Sequence, residues 1–313
     1  MKDHRLPYAA ALVTLALAAG ASPASATSIP LGAAANYAVL YEGTGGHNLS
    51  ITNVTIGGNL GVGGTGAVQF NGPGTISGNL DFSAANTGQF NNNNGSNVGP
   101  TSTSYNNANV TSALGTVNAL SSSLGGLAGS SLALSGTQTV NESSGTLQTI
   151  GGVSYRVFNV TSYSQTDGHT LTINGDASDN PVLFNFGFSS NVNLGGLVAL
   201  DGLNPDQVLF NFTSSGKNIG LNTNASSFAG SFQGVILAPN DAMSIVNARL
   251  TGRFFGGDSS DMQVVSGTSI TAPSSGGGGS AGATSVPEPS SIALVGLAFA
   301  GLAAMRRRGG AAA

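Results

Sequence analysis

Two groups of carboxylates are the first place to look for chemistry. Asp176, Asp179 and Asn180 lie close together with Asp167 nearby, and Asp258 and Asp261 form a second pair. Clustered hard oxygen ligands in loops can hold calcium, and two carboxylates across a cleft can cleave a glycosidic bond. Neither group has the spacing of an EF-hand loop, and the calcium-binding nonapeptide of secreted β-rolls is missing. Solvated turn acids are the simpler reading. Arg249 and Arg253 are four residues apart, so in a strand they face the same side, where they could touch an acidic sugar or solvent alike. Once Ala26 and everything before it are set aside as a leader, two histidines remain, His47 and His169, each beside glycine in a turn-like stretch. Neither sits in a nucleophile–base arrangement. With no cysteine and no His-x-x-His or His-Glu-x-x-His, zinc lacks ligands. Gly61 to Gly66 invites a phosphate-loop reading, but no lysine follows. The residues therefore predict no catalytic residue, no metal site and no cofactor.

The elements that would position these groups are short strands in repeated units. Ile56-Gly57-Gly58-Asn59-Leu60 returns twenty positions later as Ile76-Ser77-Gly78-Asn79-Leu80, with apolar side chains alternating around glycine and asparagine. Val182-Leu183-Phe184-Asn185-Phe186 recurs unchanged as Val208-Leu209-Phe210-Asn211-Phe212, twenty-six positions later. Gly234 and Gly252 are eighteen apart; aligned on them, Phe232 matches Leu250 and Ile236 matches Phe254. A chain that returns to similar strands at intervals of eighteen, twenty and twenty-six fits stacked coils with loops of unequal length. No coil can bury its own apolar face, whereas a stack can. Asn185 and Asn211 would then form an internal amide ladder whose polar groups need full pairing.

Asn36 to Tyr41 reads as a first strand that covers one end of the stack, because an open end invites aggregation. Ala84 to Pro100 has little apolar content and reads as an exposed loop. Within Ser104 to Leu124 the period changes: Val110, Leu114, Val117, Leu120 and Leu124 make one helical stripe, with Thr101, Ser102 or Ser104 as cap and Gly125-Gly126 as stop. Gly115 weakens the pattern unless close packing on a sheet needs a small residue there. The fold class expected is mostly β: a right-handed β-solenoid (residues 27–271) with one long helix (about 104–124) alongside. A β-sandwich is the alternative, since short strands with turn signals fit it too.

Composition bounds the partners. From Thr27 to Thr271 the chain holds four basic and eleven acidic residues, a formal charge of −7. That leaves no basic footprint for nucleic acid. There is no tryptophan, so a sugar platform would need tyrosine or phenylalanine, and no cysteine, so stacking and backbone hydrogen bonds must carry stability outside the cell. Both ends read as addresses. Lys2 and Arg5 precede an apolar run from Tyr8 to Ala19, and Ala24-Ser25-Ala26 offers the small residues a signal peptidase accepts, which makes residues 1–26 a signal peptide. A Gly/Ser-rich linker (272–285) leads to Pro287-Glu288-Pro289, an apolar stretch from Ile292 to Met305, and Arg306-Arg307-Arg308. A helix of that stretch is about 21 Å long, short for a hydrocarbon core of about 30 Å, with arginines that stay cytoplasmic.

This tail (286–313) resembles the PEP-CTERM sorting signal of Gram-negative bacteria in its Pro287-Glu288-Pro289 triplet, short transmembrane helix and terminal Arg306, Arg307 and Arg308. The resemblance implies an inner-membrane-tethered precursor, cut by an exosortase-type processing enzyme and released to the exterior, in a class of proteins tied to extracellular polysaccharide and biofilm matrix. Asn36-Tyr37-Ala38-Val39-Leu40, the two Gly-Asn-Leu units, VLFNF and Gly234 to Asn240 are similar to the choice-of-anchor A family, whose name records attachment. A more distant similarity is to ice-binding-like β-solenoids, which pair a coil stack with a long helix. Ice binding needs hydroxyl rows on a flat face. Thr170-Leu171-Thr172 is such a unit, but it does not recur at the intervals of eighteen to twenty-six that the other repeats keep. The expected function is a secreted, non-catalytic matrix or surface adhesion protein that holds exopolysaccharide. A polysaccharide-modifying β-helix enzyme and an ice-binding protein are the alternatives.

Overall fold

The computed structural model describes residues 27–273, apart from 177, 179 and 259. The leader, the linker beyond 273 and the sorting tail, with Ala24, Ala26, Pro287, Glu288, Pro289, Arg306, Arg307 and Arg308, lie outside the described residues. So does the expected transmembrane helix. Among the described residues, no helix is long and apolar enough to cross a membrane.

The domain is mostly β, with one long α-helix and three sheets of 14, 7 and 3 strands. The main path of the largest sheet runs Ser130–Ser135, Val153–Ser164, Val182–Phe186, Val208–Phe212, Phe232–Ala238, Arg249–Gly256, Tyr37–Tyr41, Asn59–Val62, Leu80–Ser83, Thr103–Asn107. Its neighbours along that path pair in parallel. The repeats noted above fall into register: Val182 to Phe186 lies on Val208 to Phe212 residue for residue, Leu60 on Leu80, Ile56 on Ile76, and Gly234 on Gly252. The strand alternation puts Val182, Phe184 and Phe186 into the core and sends Leu183 to the other side, beneath the helix. These strands are buried on both faces. Inside, Phe158, Phe184 and Phe210 stack with ring centroids 5.2 Å apart at each step, and Phe186 lies 4.5 Å from Phe212.

One expectation is overturned. The Tyr37–Tyr41 strand does not cover an end; it sits inside the stack, between Arg249–Gly256 and Asn59–Val62. The first coil lies on the last. The chain then winds away from that seam to Thr103–Asn107, and helix α1 (Ala108–Gly125) carries it back toward the opposite end at Ser130–Ser135. Eighteen residues of helix span about 27 Å, between five and six strand spacings. The physical reason is burial. Every residue of Tyr37–Tyr41 is buried, so both its hydrogen-bonding edges need a strand.

Helix α1 begins four residues later than its stripe suggested, because Thr103–Asn107 pairs with Leu80–Ser83 as a strand. The Asn107 side chain caps it, accepting from the Asn109 N–H at 3.0 Å. Val110, Ala113, Val117, Leu120 and Leu124 are buried against the sheet. Gly115 is not a contact residue: a Cβ there would meet nothing within 4 Å. The C-terminal turn of α1 docks through the amide ladder. Asn211 Nδ2 donates to Asn185 Oδ1 (2.9 Å) and to the Ser121 carbonyl (3.2 Å), Asn185 Nδ2 donates to the Leu124 carbonyl (2.9 Å), and the Ser121 hydroxyl donates to Asn211 Oδ1 (2.6 Å). The ladder thus faces the helix and adds side-chain donors to two carbonyls of its last turns. The polar stretch 84–100 is not wholly loop: Phe90–Asn92 adds a strand beside Ala67–Phe70.

Candidate functional surfaces

The carboxylate groups prove to be turn fasteners. Glu142, which the sequence did not single out, is wholly buried. It accepts from the Asp176 N–H (2.9 Å), the Ser178 hydroxyl (3.0 Å) and the Asn180 N–H (3.1 Å). Asp176 in turn accepts from the Ser178 N–H and hydroxyl, and these bonds, with Arg156 at 3.8 Å, hold its carboxyl below the usual range. Asp179 lies outside the described residues. Asp167 accepts from Asn224 at 3.0 Å. The second pair anchors the first coil: Asp258 takes the Thr44 hydroxyl (2.8 Å), and Asp261 takes the Asn48 N–H (2.7 Å) with His47 at 3.5 Å. His169 Nδ1 is 2.9 Å from the Thr166 hydroxyl. Among the described residues, no group of three or more His, Asp or Glu side chains is placed to hold a metal.

The arginines do not join the acids in a groove. Arg156, partner of Asp176, stands four strands from the Arg249–Gly256 strand, about 19 Å at the spacing of paired strands. Arg253 is 1% exposed and grips Asp206, and Arg249 donates to the Phe228 carbonyl at 2.6 Å. Gly63 and Gly64 form a close turn in which added Cβ atoms would meet the Glu42 and Gly43 carbonyls at 2.6 and 2.4 Å. That contact explains the glycines without a phosphate.

One acid stands apart. Glu42 lies between the first coil and α1, where burial raises its carboxyl from 4.5 to about 7, against a hydrogen bond from Asn118 (2.8 Å) that lowers it and the nearby Asp258 charge that raises it. The folded protein binds this proton more tightly than the unfolded chain. Stability is therefore greatest below about pH 4.5 with respect to this group and falls as pH rises toward 7. Glu42→Gln is expected to remove that fall, a difference of at most about 3 kcal/mol at about 1.4 kcal/mol per pH unit. Urea denaturation of both proteins at pH 4.5 and pH 8 checks it; parallel losses in both would show that Glu42 is not the cause.

The extended surfaces are more regular than the charged groups. In the seven-stranded sheet, inward apolar residues alternate with outward polar ones. The pairing register lines up Asn193, Gly220, Ser244, Gln263, Ser50, Gln69 and Asn91 as one row across all seven strands. Elsewhere hydroxyls align. Thr139 pairs with Thr172, and the Thr170 N–H donates to the Thr137 hydroxyl at 3.3 Å, so Thr137-Gln138-Thr139 lies on Thr170-Leu171-Thr172. The Thr-x-Thr unit therefore does recur, thirty-three positions apart rather than eighteen to twenty-six. The longer interval was the signal that could have revealed it. Beyond it the row ends at Ala199. A second patch places Ser269, Thr55 and Thr75 in one row and Thr251 beside Thr271.

Residues 26–292 match the family described as an ice-binding-like adhesive domain, and residues 285–308 match the PEP-CTERM protein-sorting motif. The matching family is the one to which the sequence showed its more distant similarity, rather than choice-of-anchor A. No curated protein matches. Among solved structures, an ice-binding protein from the Antarctic ascomycete Antarctomyces psychrotrophicus is 17% identical, with 80% of this chain and 100% of that chain covered and a TM-score of 0.48. The ice-binding protein LeIBP from an Arctic yeast is 16% identical (81% and 97% covered, TM-score 0.48). An ice-binding protein domain from Shewanella frigidimarina is 17% identical (79% and 98% covered, TM-score 0.48).

Proposed function

Because the chain belongs to the ice-binding-like adhesive domain family, we propose that it is an exported, non-catalytic surface protein that holds exopolysaccharide of the matrix on the outer faces of its strand stack. The observation that carries this reading is the outward row of neutral amide and hydroxyl side chains that crosses seven strands with a gap at Gly220, a surface built for extended polar contact. The sorting motif supports the route to the exterior. On this reading signal peptidase cuts after Ala26, residues 27–271 form the domain, and 272–285 form the linker. An exosortase-type enzyme processes the 286–313 tail at the inner membrane, guided by Pro287, Glu288 and Pro289, with Arg306, Arg307 and Arg308 held on the cytoplasmic side. The winding is taken as right-handed, the hand that parallel crossovers adopt.

The test is co-sedimentation of the full chain with matrix polysaccharide isolated from the producing cells, assayed together with release of shortened sugar chains. Retention without shortened chains is expected. Release would replace the reading with the polysaccharide-modifying one, and absence of retention would overturn polymer holding. The aligned Thr137/Thr139 and Thr170/Thr172 hydroxyls favour ice as a second ligand. Inhibition of ice recrystallisation that Thr139→Lys and Thr172→Lys abolish would support it; activity unchanged by both would remove it.

A further inference from the structure

Three open clefts adjoin where the helix-covered sheet gives way to the seven-stranded one. The first, of about 310 Å³, lies between Tyr163, Phe188 and Asn193. The second, of about 400 Å³, shares Thr161 and Phe188 with it and continues past Asn159 and Asn185. The third, of about 250 Å³, shares Gly125 and Thr213 with the second and runs on between Asn118 and Asn240. Together they make one groove that crosses from the Val153–Ser164 strand past Val182–Phe186 and Val208–Phe212 to the end of Phe232–Ala238. Three strand steps make it about 14 Å long, the length of a few sugar rings.

We propose that this groove is a binding site for an uncharged polysaccharide chain lying along the stack, a proposal that rests on the polymer-holding function above and names its ligand class. The first reason is charge. No Asp, Glu, Lys, Arg or His lines any of the three clefts, on a domain of formal charge −7. Every polar group on offer is an amide, a hydroxyl or backbone. Such groups match sugar hydroxyls as donors and acceptors without desolvating an ion, whereas the surrounding acidity repels a polyuronate.

The second reason is the pair of half-buried aromatic rings at one end. Tyr163 and Phe188 both lean on the buried Phe186, with ring centroids 6.0 and 5.7 Å away. The Tyr163 hydroxyl donates to the Gly195 carbonyl at 2.8 Å, which fixes that ring before any ligand arrives. Preset rings lose little freedom on binding, so their apolar surface is available to the carbon face of a sugar. In a chain without tryptophan these are the aromatic residues the clefts supply. The floor beneath is equally preset, since the Asn185 amide is held by Asn211 and the Leu124 carbonyl.

The test is affinity electrophoresis of the full chain, purified in mild detergent, through gels carrying a dextran, a mannan, a xylan or alginate, alongside co-sedimentation with the cells' own matrix. Retardation by at least one neutral polymer is expected, persisting at about 1 M salt, where screening reaches about 3 Å, with none by alginate. Phe188→Ala and Thr161→Arg should each weaken retardation about tenfold or more, while Thr111→Arg on the exposed side of α1, away from all three clefts, leaves it unchanged. Thr161 is exposed, so its substitution keeps the test sound if Phe188→Ala melts the corner. If the chain binds matrix but both groove variants bind as well as wild type, the groove is wrong and polymer holding stands. If the wild type neither sediments with matrix nor is retarded by any polymer, polymer holding itself fails. Retardation by alginate alone would also overturn the neutral-ligand assignment.

Discussion

Replacing Asp206 with alanine is expected to lower the unfolding free energy by about 3–5 kcal/mol. Arg253 is the reason. Its Nε and Nη2 donate to the two Asp206 oxygens at 2.8 and 3.0 Å, and Nη1 donates to the Tyr37 carbonyl at 2.7 Å. The guanidinium side chain is 2% exposed, so without Asp206 it would be a buried cation without a counter-ion. The clamp also lies where the fold closes. It ties the Pro205–Gln207 turn to the last long strand, Arg249–Gly256, and to the first, Tyr37–Tyr41, which stacks on it. The Ile29 N–H donates to the Asp206 carbonyl at 3.1 Å, so the same turn holds the start of the domain. Chemical denaturation of Asp206→Ala, Arg253→Met and the Asp206→Leu/Arg253→Met pair separates the parts. The double variant should recover much of the loss, because an apolar pair leaves no stranded charge. A loss under about 1 kcal/mol for Asp206→Ala would mean water reaches the guanidinium and the clamp is weak.

Gly252→Ala is expected to cost about 3–5 kcal/mol, from backbone strain and overpacking together. At φ +157° the residue lies at the limit of the region that side chains rarely adopt, and a Cβ there would sit 1.8 Å from the Gly234 carbonyl oxygen. Gly234, at φ +135°, is its partner in register, so the two glycines let adjacent strands pass closely at one level of the stack. Backbone cannot yield as a flexible side chain can. Gly115→Ala supplies the contrast. Gly115 lies in α1 with open space where a Cβ would stand, and alanine should stabilise by about 0.5–1 kcal/mol. Urea midpoints of the two variants should move in opposite directions. A neutral Gly252→Ala would mean the strands can part at that level without loss.

The contrast between these glycines shows what a sequence can record. Gly234 and Gly252 could be aligned from the residues alone, and with them Phe232 on Leu250 and Ile236 on Phe254, because a parallel stack without register shifts places like on like. The VLFNF repeat was legible for the same reason, and so was the amide ladder it carries. The helix was legible from its stripe but not its start, because Thr103–Asn107 became a strand through pairing with residues more than twenty positions earlier. The Thr-x-Thr row escaped because its interval of thirty-three positions is longer than that of the repeats on either side of it. Glu142 escaped because its partners are mostly backbone N–H groups, which leave no mark in composition.

The chain by itself therefore determined local periods, the register of repeated strands, the helix stripe and the motif at its C-terminal end. These depend on side chains a few residues apart or on short units that recur. Tertiary structure decided the order of the stack. Parallel strands offer the same backbone donors and acceptors on either edge, so nothing in their alternation says which strand comes next. Only the assembled core sets the first coil on the last, and only that seam turns Arg253 from a surface residue into a buried clamp. The groove, too, exists only where strand ends from successive coils meet a helix end, brought side by side by stacking rather than by sequence.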